Sequence, residues 1–307
     1  MAFQSLLPPT SSRPKSQLRW PRPSQQLLNR IRDTCSISTW LLLGALLQSL
    51  VVVIIPRFYA MLPSILILAA RLADTLAITR GWKKNPYLEG AFLHRTSPQI
   101  PDEDGHFHAE SSSEKVVVFM LGFKSNHPLG IFAPHVKTVG DLFSKMIGEL
   151  DNSKASGPAD SDSGYYGGSA WTSQDKNGAT ENLILSYWRS TEDVHRYAYG
   201  PLHRQTWDWW NKHIKEVDHI GINHEIFEVE KRHWEAIYVN FQPTLLGATT
   251  YLRKGDKLIG GTVEDQWISP LVDARRGKLR SSAGRLGRDP RELYEQFEVK
   301  EEQVMYP

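Results

Sequence analysis

Residues 182–227, NLILSYWRSTEDVHRYAYGPLHRQTWDWWNKHIKEVDHIGINHEIF, predict a strand, a broken helix and a second strand. The first part of this stretch, residues 182–188, is short and rich in apolar and aromatic side chains, which is typical of a strand. The next residues, 190–193 (STED), resemble a capping box and predict a helix that begins directly after the strand. Gly200 and Pro201 interrupt that helix, because proline lacks an amide proton and moves the preceding residue away from helical angles.

The second half of the stretch predicts a pocket. His203, Trp207 and Trp210 follow one another at spacings of four and three residues, so they share one face of the second helical piece. In the strand that follows, alternation places His224 on the same side as the isoleucines at 220, 222 and 226. A polar residue on an apolar strand face, beside a helix that carries tryptophans, is where we expect a ligand site.

The order of elements around this stretch predicts an α+β fold. Strands are indicated at residues 115–123 and 165–173, and an amphipathic helix at 138–150 lies between them. The order β-α-β-β-α-β is that of the ferredoxin-like split βαβ arrangement, an antiparallel sheet with both helices on one face; residues 235–241 add a further strand. Because the second face of such a sheet is left open, a second copy of the chain is expected to cover it, as a homodimer.

Two apolar runs precede this domain. Residues 37–55 are just long enough to cross the roughly 30 Å hydrocarbon core of a bilayer, and residues 58–70 form a shorter run that contains Pro63. The arginines and lysine before the first run place the N-terminus in the cytosol by the positive-inside rule. If both runs cross, the rest of the chain returns to the cytosol; if only the first crosses, it faces the lumen.

The chain has no Asn-x-Ser/Thr glycosylation acceptor, which favours the hairpin, with a cytosolic catalytic domain anchored to the membrane of the endoplasmic reticulum. The predicted organisation is a disordered basic arm (1–33), a membrane-anchoring region (34–80), a linker (81–113), the ferredoxin-like domain (114–250) and a charged, largely disordered tail (251–307).

Composition excludes several classes of function. The 36 basic and 34 acidic residues leave a net charge of +2, which argues against nucleic acid as a partner. Cys35 is the only cysteine, so neither an intrachain disulfide nor a cysteine-based zinc site is possible. The histidines have no recognisable metal spacing, and no glycine-rich phosphate loop lies between a strand and a helix.

A resemblance to a known family rests on three segments: residues 186–207 (SYWRSTEDVHRYAYGPLHRQTW), 221–229 (GINHEIFEV) and 235–241 (EAIYVNF). They resemble the fungal monooxygenases typified by the enzyme of the fumagillin pathway, within the antibiotic biosynthesis monooxygenase superfamily. The resemblance covers roughly residues 115–247. It implies a dimeric α/β barrel that encloses a small apolar metabolite and oxidises it with O2 as co-substrate, without metal, haem or flavin. The same superfold hosts several unrelated reactions, so the resemblance is weaker evidence for a particular reaction.

In a cofactor-free oxygenase the substrate itself supplies the electron to oxygen, and the protein encloses and deprotonates it. Histidine accepts a proton near neutral pH, so His224 is the first candidate for a catalytic residue, followed by His203 and Arg204 at the helix start. An alternative interpretation of His224 is a core histidine hydrogen-bonded to a neighbouring element. The residues expected to line the substrate site are Trp188, Trp207, Trp210, Tyr238 and Asn240.

Three functions remain open from the sequence. The first is a cofactor-independent monooxygenase of fungal secondary metabolism. The second is a haem-dependent member of the superfold, similar to an aldoxime dehydratase, in which His203, His213 or His224 would bind the iron. The third is a binding or scaffold protein without catalytic activity, in which the aromatic residues are ordinary core.

Overall fold

A computed structural model describes residues 2–15, 23–152, 163–176, 178–255, 265–289 and 291. The helices are α1 (Pro23–Thr34), α2 (Ile37–Ile54), α3 (Arg57–Thr79), α4 (Val136–Asn152), α5 (Thr191–Ala198), α6 (Pro201–Lys212) and α7 (Ser282–Arg285). The strands are β1 (Phe92–Pro98), β2 (Val116–Ser125), β3 (Tyr165–Gln174), β4 (Thr180–Trp188), β5 (Ile220–Val229), β6 (Tyr238–Phe241), β7 (Tyr251–Arg253), β8 (Gln266–Ile268) and β9 (Leu271–Asp273).

The central element is a four-stranded sheet in the order β3-β4-β2-β5, and every neighbouring pair is antiparallel. Helix α4 connects β2 to β3, and α5 and α6 connect β4 to β5. This order of elements is the ferredoxin-like arrangement that the sequence predicts. Strand β2 pairs along its whole length with β4 on one side and β5 on the other, so it lies at the centre of the sheet, and β5 forms one edge.

The helices cover one face of this sheet. Val117 and Trp188, which are cross-strand partners, lie in one buried cluster with Ile147 and Leu150 of α4 and Val194 of α5. Alternation of side chains along a strand then assigns the whole face. The side chains that point to the helices on β2 and β5 are Val117, Phe119, Leu121, Phe123, Ile222, His224 and Ile226.

The other face is covered in part by the chain itself. Val116 and Tyr187 pack against Trp234, Tyr251 and Ile268, all of which follow the sheet in sequence. The rest of this face is open: Trp171 is 46% exposed and Phe227 is 49% exposed. The expectation of an open second face therefore holds for only part of the sheet.

A second sheet corrects the expected linker and tail. Strand β1, within residues 81–113, pairs with β6 on one side and β9 on the other. Strand β9 belongs to the expected tail, yet Leu271 and Val272 are each only 1% exposed. The sequence does not indicate these strands, because their apolar segments are short and lie among charged residues. A three-residue strand is stabilised by partners that are distant in the chain. Residues 256–264, 290 and 292–307 of the tail lie outside the described residues.

The N-terminal segment, residues 2–15, is also part of the fold rather than a disordered arm. Its main chain pairs with the C-terminal strands, from Leu6 N to Leu271 O at 2.8 Å and between Thr10 and Trp267 in both directions at 2.9 and 2.8 Å. The guanidinium of Arg13 lies 5.2 Å from the ring centre of Tyr165 and 4.8 Å from that of Trp267. Phe3 packs against the buried cluster of Val272, Ala274 and Leu279, which lie far from it in the sequence, so composition alone does not reveal this packing. We call residues 2–15 the N-terminal strap.

Helices α2 and α3 are, by length and composition, able to cross a membrane. Only Ile55 and Pro56 separate them, and Gln48 Nε2 donates to Ala60 O at 3.1 Å across this link. Large apolar side chains on both helices are exposed; Val53 on α2 is 85% exposed. Helix α3 continues beyond the expected run at 58–70, through Pro63 to Thr79, so it is long enough for a second pass.

Candidate active site

His224 lies on the edge strand β5 and points to the helical side of the sheet. Its cross-strand partner is Leu121, and its imidazole lies 5.8 Å from the ring of Phe119, measured between ring centres. The side chain of His224 is exposed. The alternative of a core histidine is therefore wrong for this residue.

His203 approaches the same place from the first turn of α6. Gly200 is the N-cap and Pro201 the first helical residue, so the predicted break between α5 and α6 is present and orients His203 towards the sheet. Burial lowers the pKa of His203, an interaction with the Ala198 main chain raises it, and the nearby His224 lowers it further. The imidazole of His203 is therefore neutral at pH 7, and His224 is within electrostatic range of it.

Aromatic residues connect the two histidines to the core. Tyr197 of α5 lies 6.3 Å from His203 and 5.9 Å from Trp188, measured between ring centres, and its hydroxyl donates to Met146 O at 3.1 Å. Trp188 is buried, and its indole N–H donates to Ser186 Oγ at 3.0 Å. Phe119 lies beside His224, Tyr197 beside His203, and the two histidines are within electrostatic range of each other; we call the place where these four residues meet the His203–His224 cleft.

Asp193 fixes the position of α5 beside this cleft. Ser190 caps the helix by accepting a hydrogen bond from Asp193 N at 3.2 Å, as the sequence predicts. The Asp193 carboxylate is 1% exposed and binds Arg189 through two hydrogen bonds of 2.8 and 2.9 Å, and Arg196 at 2.6 Å. A buried carboxylate with several charged partners holds the start of a helix in one orientation.

The other expected residues of α6 differ in their surroundings. Arg204 is exposed in the same helical turn as His203, and Trp207 is 54% exposed on the next turn. Trp210 packs against the buried residues Val217 and Ile220, beside Phe123 of the sheet. Trp207 is therefore accessible to a ligand, whereas Trp210 supports the packing of α6 on the sheet.

The structure does not bring Tyr238 and Asn240 to this cleft. Both lie on β6, which belongs to the second sheet. The Tyr238 hydroxyl donates to Thr244 O at 2.9 Å, and Tyr238 is close enough to Tyr187 to influence its pKa electrostatically. Tyr187 points away from the helices, so Tyr238 lies on the opposite side of the four-stranded sheet from His224. The expectation that they share a site was based on alternation alone, which does not specify the partner of a strand.

Two residues of the cleft were not singled out from the sequence, Phe119 and Tyr197. A signal for Phe119 exists, because alternation in residues 115–123 puts it on the same face as Val117. Tyr197 is three residues after Val194 on a predicted helix, a spacing that puts both on the buried side.

The described residues contain no group of three or more His, Cys, Asp or Glu side chains placed to hold a metal ion. His213, one of the residues considered for haem, stacks on Trp209 at 4.6 Å between ring centres, and its Nδ1 lies 2.8 Å from Trp209 O. The two histidines of the cleft are positioned for acid–base chemistry: a neutral imidazole accepts a proton, and the aromatic neighbours provide an apolar surface for the molecule that loses it.

These features define a class of protein, a ferredoxin-like α+β domain with a histidine pair between its sheet and its helices. Residues 116–246 match the family model of af470-like monooxygenases. The chain is also 32% identical to Monooxygenase af470 of Aspergillus fumigatus over 290 residues, which are 94% of this chain and 98% of that protein. The chain belongs to the af470-like monooxygenase family, and it is an enzyme of the monooxygenase class.

Solved structures are similar over parts of the chain. SnoaB, a cofactor-independent oxygenase from Streptomyces nogalater, is 13% identical, with a TM-score of 0.24 over 36% of this chain and 90% of that chain. An antibiotic biosynthesis monooxygenase homologue from Deinococcus radiodurans is 19% identical, with a TM-score of 0.26 over 40% of this chain and 97% of that chain. An aldoxime dehydratase is 14% identical, with a TM-score of 0.31 over 63% of this chain and 44% of that chain. No conclusion about activity follows from scores this low.

Proposed function

We propose that this monooxygenase is cofactor-independent and uses O2 to oxidise a small apolar intermediate of fungal secondary metabolism. The observation that carries the proposal is the position of His203: a histidine whose pKa is lowered by burial, facing His224 in an aromatic cleft. Membership in a family typified by a fungal monooxygenase supports the class of substrate.

In the proposed reaction His203 acts as the base. Because its imidazole is neutral, it removes a proton from an acidic C–H or O–H group of the substrate, and the resulting carbanion or enolate transfers one electron to O2. Recombination of the radical pair forms a C–O bond and gives a peroxide. Loss of water from the peroxide converts a methylene group into a carbonyl group, so that one oxygen atom enters the product and the other leaves as water. The substrate supplies all the electrons.

The neighbouring residues position the substrate. His224 interacts with the developing oxyanion, and Arg204, in the same helical turn as His203, provides positive charge at the edge of the cleft. Phe119, Tyr197 and the exposed ring of Trp207 contact the apolar part of the substrate. Trp188 and Trp210 hold the sheet and α6 in place, and Tyr238 and Asn240 have no part in this cleft.

We further propose that α2 and α3 anchor the enzyme to a membrane as a hairpin, and the N-terminal strap supports this topology. The strap precedes α2 and α3 in sequence but pairs with β8 and β9, which follow them, and Thr180 Oγ1 donates to Asp33 O at 3.1 Å just before α2. Both ends of the helical hairpin are therefore on the same side of a membrane. Arg80, Lys83 and Lys84 follow α3, which by the positive-inside rule supports a cytosolic location of the domain, on the endoplasmic reticulum.

The proposed enzyme is a homodimer. Trp171 and Phe227 lie on the part of the sheet that the chain's own C-terminal residues leave open. An exposed patch with two large aromatic side chains is suited to pairing with a second copy of the same surface. Phe227 of this patch and His224 lie on the same strand, β5, which forms the exposed edge of the sheet.

The proposal is tested with the purified full-length chain in detergent or nanodiscs. We expect no haem or flavin absorbance, O2 consumption with an enolisable aryl ketone such as anthrone, and one oxygen atom from ¹⁸O2 in the product. His203→Ala should lower kcat at least about 100-fold, as is typical for loss of a general base. His195→Ala is the matched control, because His195 is exposed on α5 and lies outside the cleft.

Three results would contradict the proposal. A haem band that is required for turnover would favour the haem-dependent alternative. Equal activity of the two histidine variants would remove His203 from the mechanism. O2 consumption no faster than the spontaneous oxidation, over a panel of enolisable ketones, would show that the substrate does not react by the proposed deprotonation.

A further inference from the structure

A second cleft lies at the C-terminal part of the chain, away from both histidines. Its volume is about 430 Å³, which is within the range of about 300–1,000 Å³ that small-molecule sites occupy. The charged residues that line it are Glu110, Arg232, Lys278, Arg288 and Asp289. The oxygenase reaction gives no role to this cleft.

Among the described residues, the three cations of the cleft donate hydrogen bonds to main-chain carbonyl groups and not to carboxylates. Arg232 donates to Gly287 O through Nε, at 3.0 Å, and through Nη2. Arg288 Nη2 donates to Arg232 O at 3.2 Å, and Lys278 Nζ donates to Ala109 O. Arginine has five N–H donors and lysine three, so each of these side chains keeps donors for a ligand.

The charge of the cleft is positive. Asp289 is neutralised by Arg291, with Oδ2 and Nη2 at 2.8 Å. The lining residues carry three positive and two negative charges, a net charge of +1, and Arg291 beside Asp289 adds a further positive charge, which gives about +2 around the cleft. A phosphate monoester carries about −1.5 to −2 at pH 7, so the charges of the cleft and of such a group are matched.

The walls of the cleft are held in place by the main chain. Gly287 has a φ of +67°, and a Cβ atom at this residue would lie 2.7 Å from Ser111 O on the opposite wall. Arg232 has a φ of 65°, and its N–H donates to Ser112 O at 2.8 Å. The guanidinium groups of Arg232 and Arg288 therefore donate to carbonyl groups of a main chain whose conformation is restricted. This preorganises both cations for a ligand.

From this arrangement we infer that the cleft binds a phosphate monoester through Arg232, Lys278 and Arg288. Arginine forks and a lysine ammonium are the groups that proteins use to bind phosphate oxygens. The phosphate has two possible sources, the headgroup of an anionic phospholipid or a water-soluble phosphorylated metabolite. The chemistry of recognition at the phosphate is the same for both.

The experiment measures binding to the full-length chain in a neutral detergent by isothermal titration calorimetry. The three probes are inorganic phosphate, glycerol 3-phosphate and dihexanoyl phosphatidic acid below its critical micelle concentration. Arg288→Gln and Lys278→Gln should each weaken binding of the best probe about tenfold, the effect of losing one charge-assisted hydrogen bond. Arg276→Gln is the matched control, because Arg276 is an exposed arginine of the same basic segment that does not line the cleft.

The outcomes separate the sources. Similar affinities for glycerol 3-phosphate and phosphatidic acid, with loss in the two cleft variants only, support a soluble phosphorylated ligand. At least tenfold tighter binding of phosphatidic acid, with the same loss, supports a lipid headgroup. No binding of any probe, or equal weakening by Arg276→Gln, overturns the inference. Unchanged thermal unfolding of the unliganded variants shows that the cleft residues act on the ligand and not on folding. Oxygenase activity is not the readout, so failure here does not bear on the proposed reaction.

Discussion

Replacement of Arg13 by alanine is the most informative test of the fold, because this side chain joins the N-terminal strap to the four-stranded sheet. Its Nη1 donates to Leu150 O at 3.1 Å and its Nη2 to Tyr165 O. The same guanidinium lies over the rings of Tyr165 and Trp267, at 5.2 and 4.8 Å from their centres. One side chain thus contacts α4, β3 and β8.

The expected loss of stability follows from these contacts. Removing a hydrogen bond from a charged donor costs about 1.5–3 kcal/mol, and each cation–π contact contributes about 0.5–1 kcal/mol at a partly exposed site. Arg13 is partly buried, so water replaces some of what is lost. We expect Arg13→Ala to lower the free energy of unfolding by about 2–4 kcal/mol and the unfolding temperature by about 5–10 °C.

The assay is equilibrium denaturation of the full-length chain in detergent, followed by tryptophan fluorescence. Arg13→Lys keeps the charge but loses the planar fork, so we expect about half the effect. Lys15→Ala, an exposed cation two residues further along the same segment, is the matched control. If Arg13→Ala and Lys15→Ala differ by less than about 0.5 kcal/mol, the strap does not stabilise the domain and does not hold the two ends of the α2–α3 hairpin on one side of a membrane.

Four further predictions concern the histidine pair, Asp193 and the open part of the sheet. Because the pKa of His203 is lowered from the ordinary histidine value of about 6.5, the acid limb of kcat/KM, where the base becomes protonated, should lie below that pH. His224→Gln should move this acid limb to higher pH, since it removes a neighbour that lowers the pKa of His203. An unchanged profile would show that His224 does not affect the pKa of His203. Asp193→Asn should destabilise the protein by about 2 kcal/mol in chemical denaturation, because Asp193 is buried with two arginine partners, whereas the exposed Asp208→Asn should have no measurable effect. Trp171→Glu should convert the proposed dimer into a folded monomer in sedimentation velocity; a dimer of unchanged affinity would show that Trp171 lies outside the interface.

The central sheet was predictable because its signals are local. Strands β2 and β4 are short apolar and aromatic runs, β5 alternates isoleucines with other residues, and the helix start at Ser190 and the break at Pro201 follow from capping and proline chemistry. Once that order was known, the positions of His203 on a helix and His224 on a strand indicated that both face the same layer. Their proximity in the structure follows from that local geometry.

The second sheet and the strap were not predictable in the same way. Strand β9 has three residues, and its burial depends on β1, which is distant in sequence. Alternation identified β6 as a strand, but nothing in residues 235–241 shows that it pairs with β1 instead of joining the central sheet. Tyr238 and Asn240 were assigned to the candidate site for that reason, and the structure places them elsewhere. Long-range pairing depends on the whole chain, which a pattern of a few residues does not encode.

The fate of labelled oxygen in a single reaction shows whether the enzyme oxidises its substrate without a cofactor. Enzyme stripped of metals by a chelator, and shown by its spectrum to lack haem and flavin, is mixed with an enolisable aryl ketone under ¹⁸O2. We predict one ¹⁸O atom in the ketone product, the second in water, and loss of both signals in His203→Ala. Turnover that starts only when haem, flavin or a metal is returned would contradict the account, and so would full activity of His203→Ala.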